Sequence, residues 1–292
     1  MHSRKRLLAF FVILITCYGP ATASSPAKMT PEEVVAKHLA SIGSADALAA
    51  AKTRIAVGKV KAITRTNSVR NIVGVSQFAS DSDKVLLAMI FDLTDYPYEK
   101  VGYDGRKLTI ALFPGSGSRS ALGDFFKSQE TIFKQGLIGG ALSSAWPLLD
   151  LAAKKPKLSY SGISKINGRE AHKLTYAGSG NLEISLYFDA ETFRHVRSEY
   201  RYSISAAMGN RPRGDVTSPT GDTGSQSVTR YKLVEEFSEF KAEGSLTLPH
   251  TYNLQLTIEA QRTSILEWTT NFVQFVFNQP IDINAFNVAA SK

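Results

Sequence analysis

The stretch LTLPHTYNLQLTIE, residues 246–259, alternates between apolar and polar side chains. A period of two is typical of a β-strand that turns one face toward a core and the other toward water. Shorter stretches with the same alternation occur at 108–112, 182–188 and 196–202. The chain is therefore predicted to consist mainly of half-buried strands.

Short turn signals separate the predicted strands. Asp104-Gly105 and Asn167-Gly168 are residue pairs that two-residue hairpin turns prefer. Strands joined in this way form an antiparallel meander, and we count about eleven of them. The predicted fold is mainly β within the α+β class. It is a curved antiparallel sheet, or unclosed β-barrel, with helices that cover its concave face.

Two short helices are predicted before the first strand, over residues 30–51. Thr30 suits the N-cap, Pro31 the first helical position, and Glu33 completes a capping box. Gly43 is expected to end the first helix, and a second helix should follow from about residue 45 to 51.

Residues 1–23 are predicted to be a signal peptide. A basic start is followed by an apolar run over 7–16 and by a small-residue cleavage site, with the cut after Ala23. The run is too short to span a bilayer, which takes about 20 residues. The remaining chain, 24–292, is expected to be a single domain that is periplasmic or secreted.

Cys17 leaves a second interpretation of this segment open. Residues 14–17 loosely resemble a lipoprotein cleavage box, and the protein would then be a lipoprotein anchored at Cys17. With cleavage after Ala23 the mature chain has no cysteine, which excludes disulfides and thiol catalysis. Export without disulfides fits a bacterial periplasm.

Charge and motifs argue against nucleic-acid binding and catalysis. The net charge is +8, and the basic residues are spread along the predicted strands, so no nucleic-acid partner is expected. Walker, Gly-x-Ser-x-Gly and His-Glu-x-x-His motifs are absent. The histidines lack metal-ligand spacing, so no metal and no cofactor are expected. A hydrolase is the least favoured alternative, with His172, His250 and Glu267 as the residues to inspect.

The middle of the chain contains the charge-poor stretch GLIGGALSSAWPLLDLA, residues 136–152. With the amphipathic residues before it, it predicts a helical lid over 120–153. Gly136, Gly139 and Gly140 should each lower helix stability by about 1 kcal/mol relative to Ala, which would leave the lid loosely held. A second interruption, 209–226, is rich in Gly, Pro, Ser, Thr and Asp and predicts a flexible surface loop.

Three segments, in this order, resemble the periplasmic outer-membrane lipoprotein carrier (LolA-like) superfamily. They are residues 33–43, then LYFDAETFRHVR at 186–197, and then FSEF at 237–240 with LTLPH at 246–250. The resemblance implies an unclosed barrel with helices inside its concave face, a hydrophobic cavity for acyl chains, and no catalysis. The chain is longer than the typical carrier, and 209–226 resembles an insertion.

The expected function is that of a periplasmic binding or carrier protein for lipid or lipoprotein acyl chains. The cavity walls should be the apolar faces of 84–93, 108–112, 182–188 and 246–258. The lid should replace the acyl chain when the cavity is empty. The expected ligand-binding residues are Phe91, Leu112, Phe125, Phe126, Phe133, Leu137, Ile138, Trp146, Leu149, Phe188, Tyr252, Leu254 and Leu256.

The alternative is a non-enzymatic structural or signalling module of the same fold, a sensor or a domain whose cavity is simply filled. Tight packing around Trp146 and no response to apolar probes would favour it. The expected partner is a lipid or an acylated protein. A membrane or a transport system is left open as a further partner, and the protein is expected to be a monomer.

Overall fold

A computed structural model describes residues 29–65, 69–205 and 228–289. The predicted signal peptide 1–23, with Cys17, and the predicted loop 209–226 lie outside these residues. All strands in the described residues belong to one antiparallel sheet of twelve strands, which is curved but not closed into a barrel. The predicted fold class is therefore confirmed, with twelve strands where about eleven were expected.

The spatial order of the strands is β5-β4-β3-β2-β1-β12-β11-β10-β9-β8-β7-β6, so β5 and β6 form the two edges. The first and last strands of the chain are neighbours at the centre, where Val60 pairs with Thr270. The strands are β1 (Thr53–Arg65), β2 (Val69–Asp81), β3 (Lys84–Phe91), β4 (Tyr98–Tyr103), β5 (Leu108–Ile110), β6 (Leu158–Ile166), β7 (Arg169–Ala177), β8 (Glu183–Asp189), β9 (His195–Ser205), β10 (Val228–Glu243), β11 (Leu246–Glu259) and β12 (Thr263–Phe277).

The N-terminal helices form as the sequence predicts. The Thr30 and Glu33 side chains and backbone amides form the reciprocal capping box, and Gly43 follows the last helical residue. Asn167-Gly168 forms the predicted two-residue turn between β6 and β7, but Asp104-Gly105 lies in a longer loop, residues 104–107, between β4 and β5; both glycines have positive φ. The α-helices are α1 (Pro31–Ile42), α2 (Ala45–Ala50), α3 (Ala121–Ser128), α4 (Thr131–Lys134) and α5 (Leu151–Lys154). None of the described helices is long and apolar enough to cross a membrane.

The main hydrophobic core lies on the concave face of the sheet, between the strands and residues 120–153. A smaller cluster lies on the opposite, convex face, where the C-terminal 3-10 helix Ile283–Phe286 packs its Phe286 against β1–β4. Gly102 allows this contact, because a Cβ there would lie 2.2 Å from the carbonyl oxygen of Phe286. The C-terminal segment therefore covers part of the convex face.

Candidate functional site

Residues 120–153, which we call the lid, run across the concave face as a series of short pieces. They contain α3, α4, the 3-10 helices Gly140–Leu142 and Pro147–Asp150, and α5. The expected helical structure is wrong for 135–139 and 143–146, which are turns and coil. The chain changes direction there because Gly136, Gly139 and Gly140 have φ values of 66°, 80° and 48°, which a right-handed helix cannot contain.

The three lid glycines also allow close packing. A Cβ on Gly136 would lie 2.1 Å from the carbonyl oxygen of Ala145, and one on Gly139 would lie 2.2 Å from the Phe78 ring. A Cβ on Gly140 would lie 2.5 Å from Nδ1 of His195. The expectation that these glycines loosen a helix is therefore wrong, because Gly136 and Gly139 lie outside the helices and Gly140 only begins the 3-10 helix Gly140–Leu142. Gly139 and Gly140 let the lid approach the sheet, and Gly136 lets two parts of the lid approach each other.

The lid fills the concave face with apolar side chains. Its aromatic rings contact one another and the strands: Phe126 lies 4.9 Å from Phe133, and Phe125 lies 5.4 Å from Tyr202, between ring centroids. Trp146 stacks on His195 at 4.9 Å and is 1% exposed. The space that an acyl chain would need is thus occupied by the protein's own side chains.

Most of the expected ligand-binding residues come together in this core. Leu149 is partly buried against it. Leu112 is a correction: β5 ends at Ile110, so Leu112 lies beyond the sheet with 47% of its side chain exposed. Whether the buried residues bind a ligand stays a prediction. The residues within the core are Phe91, Phe125, Phe126, Phe133, Leu137, Ile138, Trp146, Phe188, Tyr252, Leu254 and Leu256.

Glu235 on β10 is a fully buried carboxylate that holds the middle of the lid. It accepts hydrogen bonds from the backbone N–H of Gly139 at 2.7 Å and from the hydroxyls of Tyr200 and Tyr252 at 2.7 and 2.8 Å. Burial penalises the charged form more than these donors favour it, and it raises the pKa of Glu235 to about 7. A proton-sensitive group therefore sits directly under the lid.

A second buried carboxylate, Glu99 on β4, holds the start of the lid. It accepts from the hydroxyls of Ser120 at 2.5 Å and Tyr96 at 2.6 Å. Ser120 in turn accepts from the N–H of Gly123 and caps α3. Burial raises the pKa of Glu99 to about 7.

The Arg54 side chain at the start of β1 binds backbone carbonyl groups of the lid. Its Nη1 donates to the carbonyl oxygens of Ala141 at 2.7 Å and Ser143 at 3.4 Å, and the residue is 2% exposed. Burial lowers the pKa of Arg54 to about 10. Close by, Ser80 of β2 accepts from the backbone N–H of Ser144 at 2.8 Å. This end of the lid borders a surface groove of about 670 Å³ that also contacts α1 and α2.

Two histidines lie under Trp146, although the sequence separates them widely. The indole N–H of Trp146 donates to Nε2 of His38 at 3.4 Å, and the His38 and His195 rings are 6.0 Å apart. Burial lowers the pKa of His38 to about 4 and also lowers the pKa of His195. Both rings are therefore neutral core groups at neutral pH. Within the described residues, no group of three or more His, Cys, Asp or Glu could hold a metal ion.

The three residues singled out for a hydrolase have separate partners. His172 contacts Tyr160, with 3.1 Å between Nδ1 and the hydroxyl. Nε2 of His250 lies 2.9 Å from a carboxylate oxygen of Glu243, and Glu267 forms an ion pair with Arg65 at 3.0 Å. They lie on β7, β11 and β12 and do not form one constellation in the contacts that the structure describes.

The residues that hold the lid were missed in the sequence, but a signal for them was present. Glu235 lies on the same face of β10 as the buried Leu233 and Phe237. Glu99 lies on the same face of β4 as buried Val101, and Arg54 lies on the same face of β1 as buried Ala56. All three are charged residues at positions where the alternation of the strand points the side chain toward the core.

Comparison with known proteins finds likeness in structure only. No family model matches the chain, and no curated protein matches it. A LolA superfamily protein from Nitrosomonas europaea is similar at 11% identity and a TM-score of 0.43, with 88% of this chain and 97% of that one covered.

Two further structures show the same kind of likeness. A DUF1329 family protein from Desulfovibrio piger has 10% identity and a TM-score of 0.43, covering 87% of this chain and 95% of its own. The Mycobacterium tuberculosis lipoprotein LppX has 10% identity and a TM-score of 0.24, covering 87% and 99%.

Proposed function

We propose that the protein binds the acyl chain of a lipid or of an acylated protein on its concave face, as a non-enzymatic binding or carrier protein of the periplasm. The observation that carries the proposal is the lid itself. An apolar segment outside the strand order fills the concavity of an unclosed sheet, in the space where an apolar ligand would bind.

The transfer of an acyl chain from water would offset part of the apolar burial that the lid gives up when it is displaced. Burial contributes about 0.8 kcal/mol per CH₂, so a chain of about fourteen methylenes contributes about 11 kcal/mol. This is comparable with the whole stability of an ordinary domain, about 5–15 kcal/mol. The described polar contacts that hold the lid include those of Glu99, Glu235, Arg54 and Ser80 and the hydrogen bonds of Leu137 with Tyr200 and of Trp146 with His38.

A reversible disulfide between lid and sheet tests the proposal. The Ser80 and Ser144 hydroxyls are 3.1 Å apart, so Ser80→Cys with Ser144→Cys places two thiols together. Cys17, the one natural cysteine, is replaced by Ser. Uptake of cis-parinaric acid, read by its fluorescence, should be lost on oxidation and return on reduction.

The matched control joins two strands and leaves the lid free. Ser161 and Thr175 of β6 and β7 have their hydroxyls 2.8 Å apart, so the same pair of cysteines can form there. This variant should take up the probe in both redox states. Equal uptake by the oxidised lid-locked protein would show that the concave face is not the binding site.

Export and cargo are tested on protein produced with its own first 23 residues. Mass spectra before and after solvent extraction should show a chain that begins at Ser24 and a lipid that copurifies near one-to-one. A chain that begins at Cys17 with added acyl mass would instead establish the lipoprotein interpretation.

The structural or sensor module remains the second candidate, and one observation favours it. Packing around Trp146 is tight, since the ring is 1% exposed and stacks on His195, and Gly140 leaves no room for a Cβ against His195. This candidate requires that cis-parinaric acid fails to bind in either redox state of the lid-locked protein and in the control.

A further inference from the structure

A group of apolar side chains lies exposed on the convex face, opposite the lid. Val73 and Val75 of β2 are 75% and 55% exposed, Ile90 of β3 is 45% exposed, and Val273 of β12 is 74% exposed. Met89 and Phe91 beside Ile90, Phe272 beside Val273, and Phe78 three residues after Val75 are buried in the concave core, so alternation along the strands directs the exposed residues to the convex side. We call these four residues, with Lys59 and Lys61, the convex patch.

Strand register brings the members of the convex patch together. Val75 pairs with Ile90 on one side and with Lys59 on the other, and Val73 pairs with Lys61. Val273 lies at the β-bulge of β12, next to the point where Asn271 pairs with Lys59. The apolar and basic side chains therefore form one continuous surface across β3, β2, β1 and β12.

The C-terminal segment covers a different part of the same face. Phe286 and Val288 pack on Ala79, Leu86 and Ala88, which leaves the convex patch uncovered by the described residues. Contiguous exposed apolar surface on a folded protein marks a place of interaction with a protein or a membrane.

Charge identifies the partner. Lys59 and Lys61 are exposed, and the structure describes no ion pair for either. The nearest arginines of β1 and β2 are neutralised, since Arg65 pairs with Glu267 at 3.0 Å and Arg70 with Asp95 at 2.7 Å. Even with Asp92, just beyond Ile90 at the end of β3, the two lysines leave the convex patch net positive.

We propose that the convex patch docks on the surface of a membrane that contains anionic phospholipid. The lysines contact the headgroups, and the valines and Ile90 enter the boundary between headgroups and acyl chains. In this orientation the concave face and its lid point away from the bilayer. The proposal is independent of what the concave face binds.

Sedimentation with vesicles tests the docking. The lipid-free protein should sediment with phosphatidylglycerol vesicles and much less with phosphatidylcholine vesicles, and added salt should weaken the binding. Each lysine near the surface contributes about a fivefold factor, so Lys59→Gln with Lys61→Gln should lower the affinity about 25-fold. The control, Lys165→Gln with Lys241→Gln, removes the same charge from exposed positions elsewhere on the sheet and should change little.

A second variant tests the apolar part without a change in charge. Val73→Ser with Val75→Ser should lose vesicle binding while its thermal midpoint and circular dichroism stay close to those of the wild type, since both side chains are exposed. Equal binding to both lipids, or full binding by the double Lys→Gln variant, would overturn the proposal. So would a dimer in sedimentation equilibrium that the serine variant abolishes while no vesicles are bound.

The oxidised Ser80→Cys, Ser144→Cys protein separates the two proposals. It should sediment with phosphatidylglycerol as the wild type does, although it takes up no cis-parinaric acid. Failure of probe uptake alone would leave the docking intact, and failure of sedimentation alone would leave the binding function intact.

Discussion

The two faces of the sheet follow the same alternation but depart from it in opposite ways. On the concave face the departures are charged residues among apolar ones, Arg54, Glu99 and Glu235, and each contacts the lid or the residue that caps it. On the convex face the departures are apolar residues in water, such as Val73 and Val75. In both cases the residues that break the alternation lie on a surface with a proposed function. On the concave face this is the binding of an acyl chain, and on the convex face it is docking on a membrane.

The largest contrast should appear along one strand, β2. Phe78 is 1% exposed in the concave core, and its replacement by Ala should lower the free energy of unfolding by about 4 kcal/mol. Val75, three residues earlier, is 55% exposed, and Val75→Ala should change it by less than about 0.5 kcal/mol. Urea denaturation measures both, and similar losses would mean that the convex patch is buried in solution.

Gly139→Ala sharpens the account of the lid. In a helix interior this change would stabilise the protein by about 1 kcal/mol. In this structure φ is 80° and the new Cβ meets the Phe78 ring at 2.2 Å, so we expect a loss of about 3 kcal/mol in the free energy of unfolding.

Gly180→Ala is the matched control for Gly139→Ala. Gly180 also has positive φ, 68°, but nothing lies within 4 Å of a Cβ there, so only the backbone strain of about 1 kcal/mol should remain. Equal losses in the two variants would remove close packing as the reason for the lid glycine.

Glu235 should make stability depend on pH. Because burial raises its pKa from 4.5 to about 7, the folded protein keeps a proton that the unfolded chain releases. This contribution is complete below about pH 4.5 and is lost as pH rises through about 7, about 3 kcal/mol in all. Glu235→Gln cannot ionise, so the stability of the wild type relative to the variant should fall by that amount over this window.

His38 provides the opposite sign under the same lid. Burial lowers the pKa of His38 from 6.5 to about 4. Between these two pH values His38 binds a proton in the unfolded chain but stays neutral in the folded protein. Its contribution is therefore lost as pH falls, and the stability of the wild type relative to His38→Gln should decline between about pH 6.5 and 4. Denaturant titrations at several pH values measure both slopes, and parallel curves for wild type and variants would contradict the burial of these groups.

The smallest expected difference compares two tyrosine hydroxyls. Tyr200 donates to buried Glu235 at 2.7 Å, and Tyr200→Phe should cost about 2 kcal/mol because the carboxylate loses a donor where water cannot replace it. Tyr98 donates to the carbonyl oxygen of Leu112 at the exposed edge, also at 2.7 Å, and Tyr98→Phe should cost less than about 1 kcal/mol. Thermal unfolding would show the difference, and equal shifts would indicate that water reaches Glu235.

Local patterns were enough to predict the sheet. Alternation, the hairpin turn at Asn167-Gly168 and the capping box at Thr30 each depend on neighbouring residues, and each is confirmed. Asp104-Gly105 marks the hairpin between β4 and β5, although the loop there is longer than the two residues that the pair predicts. The lid could not be predicted in the same way, because the left-handed turns at Gly139 and Gly140 fit contacts with Phe78 and His195, which lie far away in the sequence. Apolar composition correctly placed most of the expected binding residues in one core and misplaced Leu112, which lies just past the short strand β5.

The residues that hold the lid can be found only by looking for charged residues among the core-facing positions of the alternating strands. In the sequence these residues resemble ordinary polar residues of a strand. They stand out only because they lie on the same strand face as buried apolar neighbours; they are Glu235, Glu99 and Arg54. Their partners are the backbone N–H of Gly139, the hydroxyl of Ser120 and the carbonyl oxygens of Ala141 and Ser143. These atoms lie far along the chain, so no local pattern could identify them.

The pairing of β1 with β12 at the centre of the sheet has a consequence for the order of folding. In the described sheet, β1–β5 and β6–β12 are two groups of strands that follow one another along the chain, and the strand pairing that joins the two groups is that of β1 with β12. Such distant pairing slows folding, because the loop entropy is lost before the contacts form. During synthesis from the N-terminus, β1 must keep one edge unpaired until Thr263–Phe277 has been made.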